Sequence, residues 1–152
     1  MTLSGNSYGR EACDHLATLI AEASALRTVN FNDMFVSRKL QELPGSLEVL
    51  VRALLPSTVE HLNMSDNAFG PAGIKSFDFF LKEAAALKTL KVTNCGLGPE
   101  GGEMIAKALA ENKGLKLQQF SAGRDRLENK GITALAQVFK TYAGALEVIE
   151  VP

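Results

Sequence analysis

Residues 87–97 read LKTLKVTNCGL, and the phase of their apolar side chains decides the fold. Leu87, Leu90, Val92, Cys95 and Leu97 stand at the spacing L-x-x-L-x-L-x-x-N-x-L, with Cys95 in the place of the Asn. The first three form a strand core. At Cys95 the chain turns out of the strand, and buried backbone groups left there call for a short inward-facing side chain that reaches from one coil to the next. The same phase recurs from Leu26, Val59, Leu87, Leu117 and Leu146, at spacings of 33, 28, 30 and 29 residues. Its strand cores are Leu26, Val29, Phe31; Val59, Leu62, Met64; Leu87, Leu90, Val92; and Leu117, Phe120, Ala122. The inward ladder position holds Met34, Asn67, Cys95 and Asp125. Asn67 suits it, Cys95 is a weaker partner, Asp125 only accepts when ionised, and Met34 offers neither donor nor useful acceptor.

Periods near 29 residues with this motif are those of the longer leucine-rich repeats, in which a strand, a loop, a helix and a return make one unit. The helical halves share a register as well. Six residues beyond the ladder stand Gly73, Gly101 and Gly131, followed by amphipathic stripes: Phe77, Phe80, Leu81; Ile105, Ala108, Leu109; and Leu135, Val138, Phe139. Pro71 and Pro99 fall where a first helical turn begins and a missing N–H is harmless. In the first full repeat, Leu40, Leu43, Leu47 and Leu50 open the stripe. The expected fold is therefore α/β: a ribonuclease-inhibitor-like horseshoe solenoid, with a parallel sheet on the concave face and about five helices on the convex face. Residues 1–152 read as a single array. Leu3, Asn6, Tyr8 and Gly9 match the tail of one unit, and Leu146, Ile149 and Val151 open another, so the array is read as cut within a repeat at both ends. Its exposed end strands invite self-association.

Composition narrows the function classes. Hydrophobic residues make up 46% and charged residues 22%, with a net charge of -1 from 16 Lys and Arg against 17 Asp and Glu. That balance gives no basic excess for a nucleic-acid backbone. No apolar run approaches the roughly 20 residues of a membrane span, and the N-terminal stretch lacks the basic-then-apolar order of a leader, so a cytosolic protein is expected. Cys13 and Cys95 are expected as two free, buried thiols in a reducing compartment. His15 and His61 are isolated, and no zinc-ligand spacing, nucleophile elbow or dinucleotide fingerprint is present. The string GPAGIKS at 70–76 has two residues, not four, between its glycines, and is a repeat-to-helix junction rather than a phosphate loop.

Four segments say more: NDMFVSR at 32–38, MSDNAFGPAG at 64–73, TNCGLGPEGG at 93–102 and SAGRDRLENKG at 121–131. In order and spacing they resemble the leucine-rich domain of the Ran GTPase-activating proteins, whose motifs run SDxFTGR, LSDNAFGP, NNxGxG and GRNRLEN. About half of that family's repeats are matched. The resemblance implies an activator of GTP hydrolysis on the small GTPase Ran in its GTP form, serving nucleocytoplasmic transport from the cytoplasm or the cytoplasmic side of the nuclear envelope. Such a protein is no enzyme by itself and needs no cofactor of its own, since GTP and Mg are bound by the GTPase. It also implies roles for two residues. Asn94 falls on the Asn that lies beside the GTPase's catalytic Gln, in a mechanism that orders this Gln and water without an arginine finger. Arg38 falls on the functionally sensitive arginine closing SDxFTGR. Here Val36, Ser37 and Arg38 replace Thr, Gly and Arg, so the loop backbone differs if the family Gly has positive φ.

The repeat register agrees with a site on one rim. Asp33, Asp66, Asn94 and Arg124 each precede a ladder residue, so successive coils stack them outside the core. Asp33, Asp66, Arg124 and Arg126 are read as partner-binding, with Arg38 expected on the same loop side, holding an acidic group of the GTPase or of Asp66. Two other readings stay open: a leucine-rich module that binds a protein without catalytic consequence, and an inactive fragment of the activator.

Overall fold

The computed structural model describes residues 1–152. Five helices, α1 (Arg10–Glu22), α2 (Leu43–Leu54), α3 (Gly70–Glu83), α4 (Gly98–Glu111) and α5 (Glu128–Phe139), alternate with five short strands. These are β1 (Thr28–Asn30), β2 (His61–Asn63), β3 (Thr89–Lys91), β4 (Gln119–Ser121) and β5 (Val148–Glu150). The strands form one parallel sheet in sequence order, with Val29, Leu62, Leu90, Phe120 and Ile149 in register. A parallel sheet in that order, with a helix in every crossover, is the leucine-rich solenoid expected from the repeats.

Every strand starts two residues after the first motif Leu or Val, so its middle residue points inward and its flanks line the concave surface. Val29, Phe31, Leu62, Met64, Leu90, Val92, Leu117 and Phe120 are buried, and they meet the helix stripes in one continuous core. Helix packing is closest between α4 and α5. A Cβ added to Gly102 would lie 2.9 Å from the Cα of Gly131, so these two helices touch backbone to backbone. Pro71 and Pro99 lie in the first turns of α3 and α4, as their spacing predicts.

One detail differs from the sequence reading. Leu40 does not join the helix stripe: it lies in a 3-10 turn (Leu40–Glu42) ahead of α2 and is 57% exposed, whereas Leu43, Leu47 and Leu50 are buried. The five additional residues of this repeat relative to the next, 33 against 28, are accommodated in that loop and turn. Residues 1–8 also follow the edge of β1. The N–H groups of Leu3, Gly5, Asn6 and Tyr8 donate to the carbonyls of Asn30, Asn32, Asp33 and Met34, so this segment forms a further coil. No helix is long and apolar enough to cross a membrane. Cys13 and Cys95 are free and buried, and burial pushes both thiols up from their ordinary pKa.

Candidate functional site on the coil rim

The rim begins with a backbone choice. Asp33, Asp66, Asn94 and Arg124 all have positive φ, at 49°, 59°, 57° and 59°, and Gly5 occupies the same phase at 69°. Each of the four non-glycine residues donates its N–H to a carbonyl of the following coil: Ser65, Thr93, Gly123 and Pro152, at 2.8–3.1 Å. The left-handed conformation thus closes the turn and links the coils, and it throws the side chain outward. Asp and Asn tolerate this region better than other non-glycine residues, so their presence here already has a conformational reason. Arg124 bears the strain without that tolerance. Three residues past the ladder a second left-handed row holds Ser37, Gly70, Gly98 and Glu128. Ser37, at 61°, itself takes the left-handed conformation that a Gly at this motif position adopts without strain.

On this scaffold the side chains converge on Asp66. Its Oδ2 accepts from Asn32 Nδ2 at 2.7 Å, and its Oδ1 accepts from Asn94 Nδ2 at 2.8 Å and from Arg124 Nη2 at 3.4 Å. Four successive coils are tied through one carboxylate. Asp33 and Arg126 are on the rim but form no ion pair within the chain; Arg126 is exposed and Asp33 half-buried. Asn32 was not singled out by sequence, nor were Ser65 and Thr93. All three lie two residues before the ladder, where Ser65 Oγ accepts from Thr93 N at 3.1 Å and Thr93 Oγ1 from Gly123 N at 3.3 Å. Their shared phase was the available signal.

Beneath the rim lies the ladder. Asn67 donates to the carbonyls of Phe31 at 2.7 Å and Met64 at 2.8 Å and accepts from Met34 N at 2.9 Å, so it satisfies its own turn and the coil before it. Met34 fills its place as a buried apolar side chain, its backbone served by Asn67. Cys95 Sγ donates to the Met64 carbonyl at 3.2 Å. Asp125 accepts through Oδ1 from Cys95 N at 2.7 Å and Leu97 N at 3.3 Å, while its buried Oδ2 has no partner within the chain. Burial pushes the Asp125 carboxyl above its ordinary pKa, against the pull of those N–H groups.

Arg38 stands apart from this network. Its Nε donates to Ser7 Oγ and its Nη2 to the Ser7 carbonyl, both at 3.1 Å, and Ser7 Oγ donates to the Val36 carbonyl at 2.6 Å. The guanidinium fastens residues 1–8 to the loop before α2. The carboxylate of Asp66, expected as an intrachain partner of Arg38, is held by Arg124 instead. Arg38, Asp33 and Asp66 nevertheless line one open hollow of about 420 Å³, together with Phe35, Ser37 and Ala68. Elsewhere no three His, Cys, Asp or Glu side chains converge to hold a metal.

Residues 56–77 and 86–106 match the family described as Leucine Rich repeat. The C-terminal domain of Caenorhabditis elegans tropomodulin superposes with a TM-score of 0.71 over 93% of this chain and 81% of its own, at 17% identity, which speaks for the fold. The chain is a leucine-rich repeat solenoid. In sequence this solenoid is 38% identical to Ran GTPase-activating protein 1 of Xenopus laevis over 100% of its length, and 39% identical to Ran GTPase-activating protein 1 of Saccharomyces cerevisiae over 99%. It spans 28% and 40% of those two relatives. The likeness seen in four short motifs thus extends along the whole solenoid.

Proposed function

We propose that this solenoid stimulates GTP hydrolysis by a Ran-type small GTPase in its GTP form, through its coil rim and without covalent chemistry of its own. The observation that carries the reading is the identity with Ran GTPase-activating proteins over the full chain, including the coils that bear Asn94, Asp66 and Arg38. In this reading GTP and its magnesium are bound by the GTPase. Asn94 meets the GTPase's catalytic Gln and so orders the attacking water, a positioning role that hydrolysis of this kind rewards strongly. Arg38, with Asp33 and Asp66 around the same hollow, secures the complex, and Arg124 and Arg126 extend the contact along the rim. The cellular setting that follows is nucleocytoplasmic transport, on its cytoplasmic side.

The test is single-turnover GTP hydrolysis on Ran with this chain added. Asn94→Gly removes the amide while keeping the left-handed backbone relaxed, and the stimulated rate should fall by about 2–4 kcal/mol of transition-state stabilisation. Arg38→Ala should weaken stimulation, whereas Ser7→Ala, which removes the Oγ bonded to Arg38 Nε and to the Val36 carbonyl but keeps the Ser7 carbonyl on Nη2, should leave it intact. Equal losses in both would make Arg38 a fastener of residues 1–8 and nothing more. Because the chain spans a minority of its relatives' length, a binding module or an inert fragment is the competing reading. It would show as Ran binding without stimulation, or as neither.

A further inference from the structure

We infer that Asp66 is the positioning residue for Asn94: it fixes which end of the Asn94 amide faces outward, so that the rim offers an acceptor to the partner. The inference rests on the reading of the chain as a GTPase activator and says how its rim meets the GTPase. An ionised carboxylate only accepts hydrogen bonds. The 2.8 Å contact between Asp66 Oδ1 and Asn94 therefore has to be made by Nδ2, and the flipped amide would set oxygen against oxygen. Asp66 is itself gripped from both sides, by Asn32 of the preceding coil on Oδ2 and by Arg124 on Oδ1. The left-handed backbone of Asn94, bonded to the Gly123 carbonyl, removes the remaining freedom at the Cα.

With Nδ2 committed, Oδ1 of Asn94 is left without a partner within the chain on an exposed residue. The complement to such an oxygen is an N–H donor. In the proposed complex that donor is the amide nitrogen of the GTPase's glutamine, and a glutamine held by its nitrogen has its own carbonyl oxygen free to accept a hydrogen bond from the attacking water. Orientation is thus passed from carboxylate to Asn amide to Gln amide to water, each link setting the polarity of the next.

Asp66→Gly keeps the left-handed backbone and deletes the carboxylate. The stimulated single-turnover rate at saturating activator, where any weakening of the complex no longer counts, should fall about 10- to 100-fold, as when a metal ligand loses the partner that orients it. Asp66→Asn, whose amide supports either flip of Asn94, should show a smaller loss in the same parameter. Because Asp66 acts through Asn94, the double variant Asp66→Gly/Asn94→Gly should be no slower than Asn94→Gly alone; additive losses would overturn the proposal. The side-chain amide of Asn94 gives a readout independent of hydrolysis. One of its protons should be shifted downfield and slowed in exchange in the wild-type chain, and both effects should vanish in Asp66→Gly. An Asn94 amide spectrum indifferent to Asp66 overturns the positioning role even if Ran is stimulated. A wild-type chain that shows the amide signature but fails to stimulate Ran upholds the positioning and refutes the proposed function instead.

Discussion

Asp125 is the residue at which the ladder's chemistry departs furthest from its geometry. At the same phase Asn67 uses its amide nitrogen to reach two carbonyls, whereas Asp125 brings an oxygen, and that buried Oδ2 is the atom without a partner. Only the protonated acid supplies a donor there. Its pKa is raised by burial in the folded chain, so the folded state holds the proton to higher pH than the unfolded one. The stabilisation tied to that proton is complete below the unfolded pKa and is lost as pH rises through the folded pKa. Asp125→Asn should therefore stabilise the protein at pH 7 by about 1–3 kcal/mol, with the gain shrinking as the pH is lowered; urea unfolding at several pH values reads it. A destabilised variant, or a gain independent of pH, would mean that the carboxylate is satisfied as it stands. The sequence already marked Asp125 as a poor fit, because the inventory of donors and acceptors belongs to the residue type. It gave no sign that Arg38 bonds to Ser7, 31 residues away, since nothing in either segment encodes that meeting.

At the scale of elements, one apolar phase repeated down the chain made the strands, helices and sheet order legible. Each helix stripe and strand core demands the other, and parallel strands joined by helices admit few arrangements. The sign of φ on the rim was not legible in that way. It is set by coil-to-coil hydrogen bonds rather than by hydrophobic pattern, although Gly5, Gly70 and Gly98, at −1, +3 and +3 from their ladder positions, were traces of it. Leu40 was misplaced because a stripe drawn at helical spacing cannot register the 3-10 turn that precedes α2. The contact between α4 and α5 gives the sharpest test at this scale. Helix propensity favours Gly102→Ala by roughly 1 kcal/mol. The added Cβ would meet Gly131 Cα at 2.9 Å and Leu127 Cδ2 at 3.1 Å, so the helices must part. We expect net destabilisation of about 1–3 kcal/mol, measured by denaturant unfolding, and a stabilised variant would show that the interface relaxes easily.

Across the whole molecule the two ends of the sheet are treated differently. Residues 1–8 cover the edge of β1, while all three residues of β5 are exposed, with Ile149 at 49% beside a hollow of about 390 Å³ lined by Leu135, Phe139 and Leu146. An uncovered strand with apolar side chains is a template for pairing. The chain should associate with rising concentration in sedimentation experiments, and Ile149→Lys should weaken that association without lowering the thermal midpoint; a monomer at every concentration would count against it. The left-handed rim, finally, bears on how such a molecule drifts during evolution. At positions 33, 66, 94 and 124 the turn itself favours a small set of residue types, before any partner is involved. A narrow alphabet in those columns would therefore arise in solenoids of this shape whatever they bind. The informative variation is the exchange among Asp, Asn and Gly, which leaves the turn content and changes what the rim says to its neighbour.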